Sequence, residues 1–294
     1  VLVDKESEEI VEDESATFST TEPLVDEERT LRHSGSFEVA WLTDTGRVRP
    51  HNEDGIFVFM GEQQSSDALP PFGLFVLADG MGGHKAGEAA SALASKVVVG
   101  YLISEIYQPL LNGSVHTATQ PSLTEVMATA LAKANQVVSR TLPGSGTTLT
   151  CGLVLGMRLF IGHVGDSRAY LRRAGRAPEL LTTDHSVVGQ LVESGQLSPE
   201  EALVHPQRNM LYRAVGQGGA LEVDVLTQAL QDGDELLFCS DGLWGFLCDD
   251  EMWSIIDEAP SLEYACAQLV AEANAAGGND NISVILVKTE QEWA

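Results

Sequence analysis

Leu74-Phe75-Val76-Leu77-Ala78-Asp79-Gly80-Met81-Gly82-Gly83-His84-Lys85-Ala86-Gly87-Glu88-Ala89-Ala90 is the stretch around which the rest of the chain is organised. An apolar run of strand length ends on an acid, the nine residues from Asp79 hold four glycines, and a helical pattern opens at Glu88. A buried strand that delivers a carboxylate into a glycine-permitted turn sets an anion at a sheet edge beside free carbonyls. Hard divalent cations prefer such oxygens. Alone, the stretch reads equally well as a plain strand–turn–helix junction with Asp in a turn. The other acids decide between these readings.

The arrangement recurs. Gly165-Asp166 follows the apolar strand pattern Arg158–Val164, Ser240-Asp241-Gly242 follows Glu235–Cys239, and Gly278-Asn279-Asp280 precedes Ile282–Lys288. Glu53-Asp54 stands between a turn and the strand pattern Ile56–Phe59, with Arg49 just before it. Surface charge explains an Arg-Glu-Asp cluster by itself, and turn propensity explains any single Asp-Gly. Five acids carried to strand ends read as one converging site. Clustered carboxylates repel one another and need cations to stay ionised together. Oxygen-only donors with no matching His/Cys cluster favour Mg²⁺ or Mn²⁺ over zinc. Two such ions clamp a phosphoryl group and activate water, and Arg49 supplies a bidentate fork for the phosphate.

Composition agrees. With 43 acids against 17 Lys and Arg in 294 residues, the net charge of −26 disfavours nucleic acid and anionic membranes and suits a cation binder. Cys151, Cys239, Cys248 and Cys266 are scattered without a CxxC pair, so disulfides and a zinc site are not expected. No apolar run of membrane-spanning length is expected, and the acidic N-terminus is the opposite of a secretory signal's basic flank. The expected location is a reducing cytoplasm, and nothing demands more than a monomer.

Residues 1–34 are acidic and Ser/Thr-dotted, the composition of a flexible tail. A catalytic domain is expected over 35–290. It opens with strands over Phe37–Thr43 and Ile56–Phe59, then a helix from Gly87 to about Tyr107. A polar loop over Pro109–Pro121 and a Ser122-capped helix to Leu142 come next. Antiparallel strands follow over Thr147–Leu155, Arg158–Val164 and Ala169–Arg173. His163, inside an apolar strand, reads as a core histidine. Residues 182–220 form a polar insertion with two short helices, a candidate lid or substrate surface. Strands over Leu221–Leu226 and Glu235–Cys239, helices at 250–258 and 262–275, and the strand Ile282–Lys288 complete an α+β chain.

Arg49-x-x-Asn52-Glu53-Asp54, Ala78-Asp79-Gly80-Met81-Gly82-Gly83-His84, Gly146-Thr147-Thr148, Val164-Gly165-Asp166-Ser167-Arg168, Ser240-Asp241-Gly242-Leu243 and Gly278-Asn279-Asp280-Asn281 together resemble the metal-dependent PPM family, the type 2C serine/threonine protein phosphatases, in their bacterial form. Each fragment is weak, whereas six in order over residues 37–288 are specific. The resemblance implies two packed, mostly antiparallel sheets flanked by helix pairs, a four-layer α-β-β-α sandwich with a flap insertion. It implies a hydroxide bridging two Mg²⁺ or Mn²⁺ ions that attacks the phosphate of phospho-Ser/Thr proteins, opposing a cognate Ser/Thr kinase. Asp79 would bridge both ions, the Gly80 carbonyl would bind one, and Asp241 and Asp280 would complete the other. Glu53 and Asp54 would act through metal-bound waters, Asp166 with Asp241 would hold a third, weaker ion, and Arg49 would bind phosphate. The flap would carry His205, Arg208, Asn209 and Arg213. Met81 stands where animal members place a histidine, so protonation of the leaving group falls to a metal-bound water or to His84. A catalytically inactive phosphoprotein sensor or scaffold of the same fold is the alternative, and such a member should lack a core acid. A Ca²⁺-binding repeat protein would need loops of fixed period, which these acids do not show.

Overall fold

The computed structural model describes residues 31–34, 36–62, 69–82, 85–113 and 121–290. His84 and residues 1–30 of the tail lie outside them. In chain order the strands are β1 (Leu31–Ser34), β2 (Phe37–Asp44), β3 (Asp54–Gly61), β4 (Phe72–Met81), β5 (Gly146–Thr147) and β6 (Leu149–Leu155). β7 (Arg158–Val164), β8 (Arg168–Arg172), β9 (Glu179–Leu180), β10 (Asp224–Ala229), β11 (Glu235–Cys239) and β12 (Ile282–Thr289) follow. The helices are α1 (Lys85–Leu102), α2 (Gln108–Leu111), α3 (Leu123–Thr141) and α4 (Val187–Glu193). α5 (Pro199–Leu203), α6 (Asp241–Trp244), α7 (Asp249–Glu258) and α8 (Leu262–Ala275) complete them.

The strands form two antiparallel sheets, ordered β1-β2-β12-β11-β8-β9 and β10-β7-β6-β4-β3, with β5 joined to β4. Period-two alternation sorts each strand's side chains between two layers. In β4, Phe72, Leu74, Val76 and Ala78 face α1 and α3, where Ala90, Ala94, Val98, Met127 and Leu131 complete one apolar layer. Phe75 and Leu77 face the other way and meet Val39, Phe238, Ile285 and Val287 of the opposite sheet. On that sheet's far side Leu237, Val284 and Leu286 pack under Met252, Trp253, Cys266 and Leu269 of α7 and α8. The molecule is therefore the four-layer α-β-β-α sandwich expected.

Several boundaries moved. Leu31–Ser34, expected in the tail, pairs with Phe37–Ala40, because a tight turn lets it extend the β2 edge. The first long helix ends at Leu102 and continues through a π-type turn, Ile103–Tyr107, into α2. Pro109 sits at the start of α2, where its missing N–H goes unneeded, so the expected loop begins later. Strand β10 lies at Asp224–Ala229 rather than Leu221–Leu226, since its register is set by β7, from His163 to Arg158. Ala86–Leu111 is, by length and apolar character, long enough to cross a membrane, contrary to the sequence expectation. Its buried residues Ala90, Ala94, Val98 and Leu102 instead pack in the helix-side core of the sandwich. Ser122 caps α3 in a reciprocal box with Glu125, as its sequence indicated.

Candidate active site

Strand parity explains where the acids go. Asp79 shares the alternation of Phe75 and Leu77, so it belongs to the face between the sheets, at the end of β4. Asp54 opens β3 directly across the ladder from Asp79 and shares the parity of Ile56 and Val58 on the same face. Asp166 follows β7 of that sheet, while Asp241 follows β11 and Asp280 precedes β12 of the other. One end of the sandwich thus collects carboxylates from both sheets. Asp79, Asp166, Asp241 and Asp280 line a cavity of about 240 Å³ together with Arg49, Glu53, Gly80 and Asn209. Asp54 lies behind it, paired across the ladder with Asp79.

The backbone around the acids is held by short polar contacts. Thr148 Oγ1 accepts from Asp79 N at 2.9 Å, Thr147 Oγ1 donates to the Asp79 carbonyl at 2.8 Å, and Ser91 Oγ donates to the Glu53 carbonyl at 2.6 Å. Asn281 Oδ1 accepts from Glu53 N at 2.8 Å, and Ser240 Oγ donates to Asp54 Oδ2 at 3.0 Å, so each bond ties one sheet to the other. Two glycines permit the approach. A Cβ on Gly80 would lie 2.3 Å from the Gly87 carbonyl oxygen, and one on Gly242 would lie 1.9 Å from that of Asn281. Arg49 Nη2 reaches Asp280 Oδ2 at 2.6 Å and leaves about half of its side chain exposed at the mouth.

Burial dominates the electrostatics. It pushes Asp54 up to about 7, with the Asp241 charge adding, and Asp241 up to about 6, with Asp280 adding. Asp79 and Asp166 are raised well above the ordinary carboxylate range for the same first reason. Among the described residues no three acidic, His or Cys side chains already stand as a ready-made ligand set. The donor chemistry nevertheless fits hard cations: the lining offers carboxylate, hydroxyl and amide oxygens with no His or Cys, and the buried Asp54 Oδ1 and Asp241 Oδ1 have no hydrogen-bond partner. A carboxylate oxygen that is buried and unpartnered is costly unless a cation or proton meets it.

The flap residues divide. Arg208 and Asn209 line a larger cavity beside the acids, and His205 and Arg213 do not. Arg213 instead anchors the insertion, bonding Asp224 at 2.7 Å and Glu222 at 2.9 Å. Sequence reasoning gave no role to His185. Its Nδ1 accepts from Gly165 N at 3.0 Å, which leaves Nε2–H to donate to Asp224 Oδ2 at 3.0 Å. His185 therefore joins the Asp166 turn to β10 and to the flap anchor. Trp244 was also missed: its Nε1 donates to the Asp166 carbonyl at 3.0 Å, and Arg168, doubly bonded to Asp184, stacks on its ring at 3.7 Å. The Asp184-His185-Ser186 run after a strand was the available signal, but its partners are distant in sequence. His163 is a core histidine, bonded to Thr150 and Thr183 and lowered by burial to about 4.

The sequence profile of the protein phosphatase 2C family matches residues 54–282, the span from Asp54 to the start of β12. The chain belongs to the protein phosphatase 2C family. It is 37% identical over 250 residues to the serine/threonine phosphatase stp of Listeria innocua, covering 84% of this chain and 93% of that one. It superposes on the Mycobacterium tuberculosis serine/threonine phosphatase PstP/Ppp with a TM-score of 0.70 at 32% identity, over 87% of this chain and all of that one. A structure of the PstP catalytic domain in complex with two manganese ions matches with a TM-score of 0.70 at 29% identity, over 87% and 99% of the two chains. Within this family's frame, the acids at one sandwich end are the feature to be explained.

Proposed function

We propose that this protein hydrolyses phosphoserine and phosphothreonine in proteins with the help of bound Mg²⁺ or Mn²⁺. Family membership and the kinship to serine/threonine phosphatases support the reaction. The observation that carries it to this site is the meeting of Asp79, Asp166, Asp241 and Asp280 in one cavity under a half-exposed arginine, with Asp54 opposite Asp79 on the neighbouring strand. Asp79, Asp241, Asp280 and the Gly80 carbonyl would hold two core ions, with Asp166 and Asp241 serving a weaker third and Glu53 and Asp54 behind them. Such ions, when bound, neutralise phosphoryl charge and lower the pKa of water. The chain's own part is to orient: Arg49 directs its planar fork at the phosphate, and the threonine and asparagine bonds fix the acids before substrate arrives.

Asp79, Asp241 and Asp280 all line one cavity, which favours an enzyme over an inactive sensor. We infer further a catalytic unit from β1 to β12 with a flap at 182–220, preceded by an acidic N-terminal segment that lies outside the described residues. We take it to be a monomer that opposes a cognate Ser/Thr kinase, and the four free cysteines fit a reducing cytoplasm. Hydrolysis of a phosphothreonine peptide should require Mn²⁺, stop in EDTA and collapse in Asp241→Asn. Tight peptide binding without turnover in any metal would move the protein to the sensor class.

A further inference from the structure

A cavity of about 910 Å³ opens beside the acid cluster, between the flap helices α4 and α5 and the segment after β11. Its apolar walls are Leu180, Val188, Val192 and Leu203 on one side and Trp244 and Phe246 on the other. Arg168, Asp184, Glu193 and Arg208 are also in the lining. The smaller catalytic cavity shares Arg49, Asp166, Asn209, Asp241 and Asp280 with it, so the two are one continuous depression. A second observation points the same way. Of the nine large apolar side chains exposed among the described residues, Leu180, Leu203 and Val204 line the cavity, and Met210 and Tyr212 lie in the flap outside its lining. An apolar surface of this kind, gathered at one place, marks a binding site.

Building on the phosphatase reading, we propose that this cavity is a specificity subsite that takes an aliphatic side chain of the substrate polypeptide, a few residues from the phosphorylated Ser or Thr. The occupant follows from continuity. A chain that presents its phosphate to Arg49 must pass the mouth of a depression that shares Arg49. At roughly 3.3 Å per extended residue, a neighbour two or three positions away reaches that far. The core-side wall is preformed, because Trp244 is fixed at both ends, by its bond to the Asp166 carbonyl and by the Arg168 guanidinium stacked on its ring. A side chain settling on Trp244 therefore touches the residue that holds the Asp166 turn. Substrate choice and the acid cluster meet at one indole.

The test uses the full chain loaded with Mn²⁺ and phosphothreonine peptides that differ at a single position, Leu, Ala or Ser, moved from three residues before the phosphothreonine to three after. p-Nitrophenyl phosphate is assayed in parallel. At one or two positions Leu should exceed Ser in kcat/KM by about tenfold or more, the range one apolar contact supplies. Leu203→Ser, at an exposed position that tolerates change, and Val192→Ser should bring that Leu-to-Ser ratio toward one. A ratio within twofold at every position, with the aryl phosphate hydrolysed, overturns the subsite. If neither the peptides nor the aryl phosphate are hydrolysed, the phosphatase reading fails instead, and anisotropy with the same labelled peptides decides the cavity. Leu-selective binding that Leu203→Ser removes upholds it, and equal binding of the Leu and Ser peptides, which also covers a partner of other chemistry, overturns it.

Discussion

The acid end of the sandwich and the flap beside it are built by opposite means. Asp54 and Asp79 are cross-strand neighbours on eight- and ten-residue strands; Thr147 and Thr148 pin the backbone of Asp79, and Ser91 and Asn281 pin that of Glu53 just before Asp54. The flap has two helices of seven and five residues; main-chain bonds hold only its ends, His185 N to the Gly165 carbonyl and Val215 paired with Thr147, and side chains add Arg213 to Asp224 and Glu222. One region fixes charge by main-chain register; the other presents apolar surface on short elements. Chemistry that tolerates no misplacement belongs on the first, and recognition that must accept varied chains belongs on the second.

The strongest way to break this contrast is Asp79→Asn. Turnover of a phosphothreonine peptide should fall at least about a thousandfold, roughly 4 kcal/mol of barrier. The same variant should lose the rise in melting temperature that Mn²⁺ gives the parent, a readout independent of activity. A variant that retained both would show that the acid end does not act as one cation site.

Next in size is Gly242→Ala, which sets a methyl against the Asn281 carbonyl at the seam of the two strands that carry Asp241 and Asp280. Overpacking against backbone should cost about 3 kcal/mol in urea unfolding. An equal substitution at Gly219 in the flap, where a Cβ meets nothing within 4 Å, removes no space and pays only for its positive φ of 70°. Equal losses at the two sites would erase the distinction.

A pH titration probes the same sheet away from the acids. His163 has a folded pKa of about 4, against 6.5 ordinarily, because burial disfavours its charged form. Between those values the unfolded chain binds the extra proton, so this group's contribution to stability rises with pH. That contribution should be complete above pH 6.5 and lost progressively down to pH 4, by an amount on the order of 3 kcal/mol. The raised Asp54 and Asp241 give the metal-free protein a slope of opposite sign over the same range, so the His163 contribution is read in calorimetry as the difference between the Mn²⁺-free parent and Mn²⁺-free His163→Asn.

The smallest effect is expected at the flap anchor. Arg213→Ala removes two partly exposed ion pairs, worth about 1 kcal/mol, and should raise KM for phosphopeptide a few fold with kcat little changed. Faster proteolytic nicking within 182–220 would sharpen the comparison, and a large drop in kcat would show that the flap belongs to the catalytic frame.

Much of this was legible in the chain. Glycine beside each acid, the alternation of β4 and the Ser122-Glu125 cap are local signals, governed by main-chain sterics and side-chain period, and they determine strands, turns and which face a residue takes. They placed Asp79, Asp166, Asp241 and Asp280 at strand ends. Only the tertiary structure decided the rest. Whether β10 begins at Leu221 or Asp224 depends on a partner strand some sixty residues away, and β1 exists because an edge was free to receive it. His185 and Trp244 have roles solely because Gly165 and Asp166 come to lie against them. A carboxylate's proton affinity, likewise, is set by burial and by neighbours from the other sheet, and no local pattern contains either.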